Sequence, residues 1–182
     1  MIVLAIDTSS AQCAVAVSGV SPVAEVAPMQ RGHAEALFPM IEQVMARAGL
    51  TFQDIGRIGV CTGPGSFTGL RVGVSAARGL ALGLGVTAVG ITRFAALAPV
   101  GFDGVIHLAG RQGTRWAQRF QAGAADGEPW VEDGTADDLL PDPMRILELA
   151  AAAPEGGPRP APLYLRGADA ALPSTPPPKW LD

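Results

Sequence analysis

Three segments of the 182-residue sequence combine residue types and spacings that could do chemistry. The most distinctive is GPGSFTGLRVG, from Gly63 to Gly73, which lies between an apolar run and a helical pattern. A glycine-rich loop at the start of a helix can present backbone N–H groups to an anion such as phosphate. The segment is not a Walker loop, because no Gly-Lys-Ser/Thr follows, and it does not match the dinucleotide fingerprint.

Close packing is the alternative role for the same segment. We expect Thr68 to cap the helix, and Gly69 and Gly73, one turn apart, to let another backbone approach closely. The other small residues expected to contribute to this approach are Ala76, Ala77 and Gly83. Because glycine costs helix stability, its repetition inside a helix favours packing over phosphate binding. A nucleophilic serine is not supported, since the spacing around Ser66 differs from the Gly-x-Ser-x-Gly elbow.

The second segment is AIDTSS at residues 5–10, a strand that ends in a turn. It resembles the first phosphate loop of the actin/Hsp70/sugar-kinase superfamily, which normally carries glycine where this chain has Thr8, Ser9 and Ser10. Together with the glycine-rich segment, it is interpreted as a vestigial nucleotide-binding loop, because the usual glycines are replaced. Asp7 is expected to bind a cation or to cap the turn through an Asx bond. The candidate loop residues are Asp7, Thr8, Ser9, Gly63, Gly65 and Ser66.

The third segment, RGHAEAL, places His33 at the start of a predicted helix. Two histidines share one helix face, and can bind one metal ion, when they are four residues apart. The residue four positions after His33 is Leu37, and the only other histidine is the distant His107. We therefore predict a hydrogen-bonding or packing role for His33 and no metal site.

Composition excludes several classes of protein. A net charge of −4 argues against a general nucleic-acid binder, which needs a basic surface. Cys13 and Cys61 lie in apolar runs and are expected to be reduced, buried thiols. The N-terminus lacks the basic region and cleavage site of a signal peptide, and arginines and glycines interrupt the longest apolar stretch. The sequence therefore favours the cytoplasm, with no membrane span.

Hydrophobic periodicity predicts a mixed α/β fold. Three short strands joined by tight turns form a meander, and strands and helices then alternate. The order β-β-β-α-β-α implies a mixed sheet with crossover helices. The predicted strands lie at residues 2–6, 13–17, 23–26, 57–61 and 86–90, and the predicted helices at 33–48 and 68–83, with Gly49 closing the first.

After residue 100 the pattern is weaker. We predict a helical turn at 94–98, strands at 105–108 and 115–121 around a turn at 110–113, and loop over most of 126–142. A short helix follows at 144–153, then a Pro/Gly linker at 155–162, a brief strand at 163–165 and an extended proline-rich tail at 173–178.

The three segments, in this order and at these intervals, resemble the TsaB (YeaZ) family. The motif APLYLR at 161–166 is similar to a Pro-x-Tyr-Leu-Arg segment near the end of that family. The resemblance covers residues 1–98 and returns over roughly 143–170, and GPGSFTGLRVG is its specific part. The family is a paralogue of TsaD, a threonylcarbamoyl transferase, in the glycoprotease M22-like superfamily. It implies an actin/Hsp70-like (ribonuclease H-like) fold of two lobes, with the first lobe at 1–100 and a reduced second lobe at 101–182.

The resemblance also implies a function. TsaB is a non-catalytic subunit in the bacterial synthesis of N6-threonylcarbamoyladenosine (t6A) at tRNA position 37, where it binds and supports TsaD and the ATPase TsaE joins them. TsaD holds its metal with an HxxxH pair, which here corresponds to His33 and Leu37. The resemblance thus implies no enzyme activity and no cofactor, with ATP or ADP only at the TsaD interface. Contact with tRNA is expected only through the complex.

In the family, the two long helices pack against the matching pair of TsaD, and a homodimer can use the same surface. Apolar residues occupy more than one stripe of the first helix, which leaves Met40, or Phe38 and Met45, for a partner. The alternative is that both faces of this helix belong to the core of the chain itself. The candidate partner-binding residues are His33, Leu37, Phe38, Met40, Ile41, Met45, Gly69, Leu70, Gly73, Ala76, Ala77 and Leu80.

The sequence departs from the family in its second half. Residues 109–114 read AGRQGT, where relatives have Asp-Ala-Arg-x-Gly-Glu, so both acidic residues are missing. The lost acid and the altered DTSS turn argue against a sugar-kinase-like phosphotransferase, and the missing metal ligand argues against a metal-dependent glycoprotease. A stand-alone dimeric interaction module remains a third hypothesis.

Overall fold

The computed structural model describes residues 1–165, and its centre is a five-stranded mixed sheet. The spatial order of the strands is β3-β2-β1-β4-β5. The first three strands pair antiparallel, and β1, β4 and β5 pair parallel. The strands are β1 (Ile2–Ser10), β2 (Gln12–Val17), β3 (Val23–Pro28), β4 (Ile55–Gly63) and β5 (Thr87–Thr92). This arrangement confirms the predicted meander followed by crossovers.

Helices cover both faces of this sheet. Helices α1 (His33–Ala48) and α2 (Phe67–Leu84) pack on one face, and α4 (Pro143–Ala152) packs on the other. The short helix α3 (Arg93–Leu97) follows β5. Because both faces are covered, β1 is apolar without alternation: Leu4 and Ile6 belong to one core and Val3 and Ala5 to the other.

A second, antiparallel sheet follows. It consists of β6 (Gly104–Ala109), β7 (Thr114–Gln121), β8 (Ala124–Ala125) and β9 (Trp130–Asp133), with β7 pairing all three others. Phe94 and Ala98 pack against Leu108 and Phe120 of this sheet in a third core. The predicted turn between β6 and β7 is confirmed, with the Gly110 N–H donating to the Thr114 carbonyl oxygen.

Three expectations for the second half change, and a fourth falls on residues that the structure does not describe. The loop predicted over 126–142 contains strand β9, because its residues 130–133 pair with β7. The strand predicted at 163–165 does not form; this segment is held by one backbone hydrogen bond, from Leu163 N–H to the Thr62 carbonyl oxygen. The helix α4 follows residue 100 in the chain, yet it packs on the first sheet by burying Ile146 and Ala150. The proline-rich tail at 173–178 lies outside the described residues.

Candidate functional site

The glycine-rich segment packs directly on the AIDTSS turn. A Cβ atom at Gly65 would collide with the carbonyl oxygen of Ser9, and one at Gly69 with that of Thr8. The Ser66 N–H donates to the Ser9 carbonyl oxygen at 2.7 Å, and the Thr8 hydroxyl donates to the Gly69 carbonyl oxygen at 2.7 Å. The glycines are therefore needed for close backbone approach, which confirms the packing interpretation.

The cap of helix α2 differs from the prediction. Its N-cap is Ser66, whose hydroxyl oxygen accepts from the Gly69 N–H at 3.3 Å, so the assignment of this cap to Thr68 is wrong. The helix begins one residue earlier than predicted, at Phe67, because Ser66 has the extended backbone conformation that a cap requires. Two N–H groups near the helix start, those of Ser66 and Gly69, thus bond within the chain.

Asp7 caps its own turn. Its carboxylate is buried and accepts hydrogen bonds from the Ser9 N–H at 2.8 Å and from the Gln12 side-chain amide at 3.1 Å. The same amide nitrogen of Gln12 donates to the carbonyl oxygen of Pro141 at 2.8 Å. The Asx alternative is therefore the one that the structure shows, and Asp7 joins the turn to the loop before α4.

His33 forms a hydrogen bond, as predicted. Its Nε2 atom lies 3.1 Å from the Ser10 carbonyl oxygen, and the ring is mostly buried. Leu37, one turn later, lies in the core and offers no metal ligand. Within residues 1–165, no three His, Cys, Asp or Glu side chains are grouped closely enough to hold a metal ion.

Both cysteines are buried and free, as expected. The Cys61 thiol donates to the Ser9 hydroxyl at 3.3 Å. Burial, together with the Asp7 charge, raises the pKa of Cys13 from 9.0 to about 11 and also raises the pKa of Cys61. Neither thiol is therefore suited to nucleophilic chemistry at neutral pH.

These raised pKa values predict an alkaline loss of stability. Between pH 9 and about 11 the unfolded chain releases the Cys13 proton and the folded chain retains it, so the free energy of unfolding falls as pH rises. Urea unfolding at a series of pH values should show this decline. In a Cys13→Ala variant it should be shallower, and an unchanged slope would contradict the assignment.

A cleft of about 290 Å³, with a lining of mixed polarity, lies between the two sheets. The predicted loop residues Ser9, Gly65 and Ser66 line it, together with Arg111 from the turn between β6 and β7 and Trp116 from β7. Asp7, Thr8 and Gly63 are not among its lining residues. The structure thus gathers the two predicted segments but places only part of them at the cleft.

Arg93, which was not among the predicted site residues, also lines this cleft. Its guanidinium is buried and donates to the carbonyl oxygen of Leu139 and to the carboxylate of Asp138. The arginine thereby fixes the loop that precedes α4. The available signal was one arginine within the apolar stretch from Leu80 to Val100, because a charge there needs a partner if it is buried.

The residues predicted to bind a partner include some that the fold buries and some that stay exposed. Met40 and Met45 are only 6% and 2% exposed, so the expectation that they face a partner is wrong. The apolar side of α1 is wide enough for both methionines to pack in the core against the sheet. The other members that the fold buries are His33, Leu37, Ile41, Gly69, Leu70, Gly73 and Ala77.

Three of the predicted residues, Phe38, Ala76 and Leu80, line an apolar groove of about 560 Å³ between α1 and α2. Phe38 is 45% exposed and adjoins the other apolar residues of the groove, and a contiguous exposed apolar patch is typical of a protein–protein contact. The groove is completed by Phe52, Ser75, Gly79, Gly83 and Leu84.

Gly79 in this groove was not predicted, and Gly83 was predicted to allow a close backbone approach but not to bind a partner. A Cβ atom at either position would meet no atom within 4 Å, so nothing inside the described chain requires a glycine there. Together with Ser75 they form a stripe of small residues at four-residue spacing on the outer side of α2. That spacing was the available signal. A surface glycine stripe lets a second helix approach closely.

Residues 1–165 contain no helix with the length and apolarity to cross a bilayer.

The fold of this chain is similar to that of a solved structure, YeaZ from Pseudomonas aeruginosa. The two superpose with a TM-score of 0.76 at 22% sequence identity. That match covers 90% of this chain and 99% of the solved one. It shows the shared fold.

Sequence comparison gives the family. The tRNA threonylcarbamoyladenosine biosynthesis protein TsaB of Haemophilus influenzae is 37% identical over 103 residues, 55% of this chain and 43% of that protein. TsaB of Bacillus subtilis is 34% identical over 153 residues, 81% of this chain and 63% of that protein. The chain thus spans less than two thirds of the length of these curated relatives. The family model for TsaD, tRNA N6-adenosine threonylcarbamoyltransferase, matches residues 2–114. By this match and by its TsaB relatives, the chain belongs to the TsaD family, on the TsaB (YeaZ) branch.

Proposed function

We propose that the chain is a non-catalytic subunit of the complex that makes N6-threonylcarbamoyladenosine at position 37 of tRNA. Its task is to bind TsaD through the groove between α1 and α2. The observation that carries the proposal is the outward glycine stripe at Gly79 and Gly83 beside the exposed Phe38. An apolar groove beside a stripe of small residues fits an apolar helix pair.

The chemistry of the neighbouring segments supports an accessory role. The loop amides of Ser66 and Gly69 bond to the chain itself, and the Asp7 carboxylate is engaged by Ser9 and Gln12. Where TsaD is expected to carry its second metal-binding histidine, this chain has Leu37 in the core. We therefore assign the transfer reaction to TsaD.

The proposal extends to the assembly. TsaE joins the pair, nucleotide binds only at the interface with TsaD, and tRNA is reached through the complex, since a net charge of −4 gives this chain little attraction for RNA. In the absence of TsaD, a second copy can occupy the same groove. This role places the chain in the cytoplasm.

The test is co-purification with TsaD, followed by a tRNA modification assay with and without this chain. We expect a stable complex with TsaD and a strong loss of t6A formation when the chain is omitted. Full modification in its absence would overturn the proposal. Proteolysis by the isolated chain that depends on added metal would instead support the glycoprotease hypothesis.

The groove makes a sharper prediction. A Gly79→Leu variant should keep its fold, because the new side chain points into open space, and should lose at least tenfold in affinity for TsaD, because that side chain blocks helix approach. Calorimetric titration measures the affinity, and circular dichroism checks the fold. The matched control is Arg78→Leu, an exposed position on the same helix that does not line the groove. Equal affinities for the two variants would exclude the groove.

A further inference from the structure

The outer stripe of α2 continues beyond the groove. Counting back from Gly79 in steps of four gives Ser75, Arg71 and Phe67, so all four residues lie on one side of the helix. Phe67 and Arg71 lie towards the N-terminal end, outside the residues that line the groove. Phe67 is 40% exposed. The groove and this end of the helix therefore form one continuous surface.

The segment at residues 163–165 contacts this end of the stripe. The ring of Tyr164, 44% exposed, lies 5.3 Å from the ring of Phe67, centroid to centroid. The segment is anchored on both sides of Tyr164, by the backbone bond from Leu163 to Thr62 and by the packing of Leu165 in the third core. This contact gives a role to the APLYLR motif, which the proposed function leaves unused.

Arg71 is held between these two aromatic rings. Its guanidinium carbon lies 3.9 Å from the centroid of the Phe67 ring, and its Nε–H donates to the Tyr164 hydroxyl oxygen at 3.2 Å. Stacking and a hydrogen bond at Nε fix the plane of the guanidinium. The two terminal nitrogens have no hydrogen-bond or ion-pair partner among residues 1–165.

A guanidinium fixed in this way is ready to bind a carboxylate. Two parallel N–H groups on its outer edge match the two oxygens of Asp or Glu, and little side-chain entropy remains to be lost on binding. We infer that Arg71, positioned by Phe67 and Tyr164, pairs with a carboxylate of the TsaD subunit that fills the adjacent groove. The inference rests on the proposed function, because it takes the occupant of the groove from it.

The test compares the TsaD affinity of Arg71→Met and Tyr164→Phe variants with that of the wild-type chain. Arg71→Met keeps the apolar stem and removes the charge, and should weaken binding about tenfold. It should also reduce the salt dependence of binding between about 50 and 300 mM NaCl. Tyr164→Phe keeps the ring but removes the hydroxyl that orients Arg71, and should weaken binding about threefold. Arg78→Met, exposed on the same helix and outside the cluster, is the control.

The outcomes separate this inference from the proposed function. If Arg71→Met binds TsaD like the Arg78→Met control while Gly79→Leu does not bind, the inference is overturned and the groove stands. If the wild-type chain itself does not bind TsaD, both fail. If Arg71→Met loosens only a homodimer, measured by light scattering, the carboxylate belongs to a second copy, which also overturns the inference.

Discussion

A Gly69→Ala variant is expected to lose about 3 kcal/mol of its free energy of unfolding, because one added methyl group has no room. Its Cβ atom would overlap the Thr8 carbonyl oxygen, a backbone atom of the central strand β1. Neither side can yield easily, since the Thr8 hydroxyl also donates to the Gly69 carbonyl oxygen and Thr8 is buried. The helix and the strand would have to separate, which would break this bond and open the core below.

Urea denaturation followed by circular dichroism measures this effect. The matched control is Gly79→Ala on the same helix, where the new methyl group meets open space. There alanine should raise the free energy of unfolding by up to about 1 kcal/mol, because it favours the helix over the unfolded chain. Equal midpoints for the two alanine variants would show that the contact with Thr8 does not determine stability.

These two glycines show what a sequence does and does not reveal. Both interrupt the same helical pattern, and the chain alone gives no reason to separate them. The packing interpretation correctly predicted a close backbone approach at Gly69, whereas Gly73 faces the Thr8 side chain, and only the fold shows that the approaching strand is β1. Gly79, by contrast, has no neighbour within the described chain. Which side of a helix faces the sheet depends on long-range packing.

Long periodic segments were the most predictable. The limits of α1 match the prediction, because its apolar positions, its acidic first turn and Gly49 at its end all agree on the same boundaries. Apolar character alone, however, did not show which side chains are free. Met40 and Met45 were assigned to a partner, yet the sheet is broad enough for α1 to bury both.

Short elements that depend on distant pairing were missed. Strand β9 contains Glu132 and Asp133 and carries no alternating pattern, so nothing local predicts it. It pairs with β7, whose Arg115 Nε donates to the Glu132 carboxylate at 2.7 Å. Within β9 itself, the Trp130 indole N–H donates to the same carboxylate at 2.8 Å. These bonds from Trp130 and Arg115 lower the pKa of Glu132.

Arg57 is the residue for which we expect the second-largest loss of stability. Its side chain is buried beneath the end of α4, where one terminal nitrogen donates to the Ala150 carbonyl oxygen at 2.9 Å and to that of Ala153 at 2.6 Å. The last carbonyl groups of a helix have no partner within the helix and carry a negative partial charge. The buried guanidinium of Arg57 donates hydrogen bonds to these carbonyl groups and offsets their negative partial charge. It thereby holds α4 against strand β4.

An Arg57→Met variant should therefore lose about 2–3 kcal/mol of its free energy of unfolding, because methionine fills much of the space but donates no hydrogen bond. The Ala153 carbonyl would lose its donor, and the buried Ala150 carbonyl would keep only the long bond from the Ala153 N–H at 3.4 Å. Urea denaturation gives the total, and faster amide exchange confined to α4 would locate it. Glu155→Gln is the control: the Glu155 side chain is 89% exposed and 3.7 Å from the guanidinium, and its loss should cost less than about 0.5 kcal/mol. If instead the glutamine variant lost more stability than the methionine variant, the exposed ion pair, and not the capping of the helix carbonyls, would hold α4 in place.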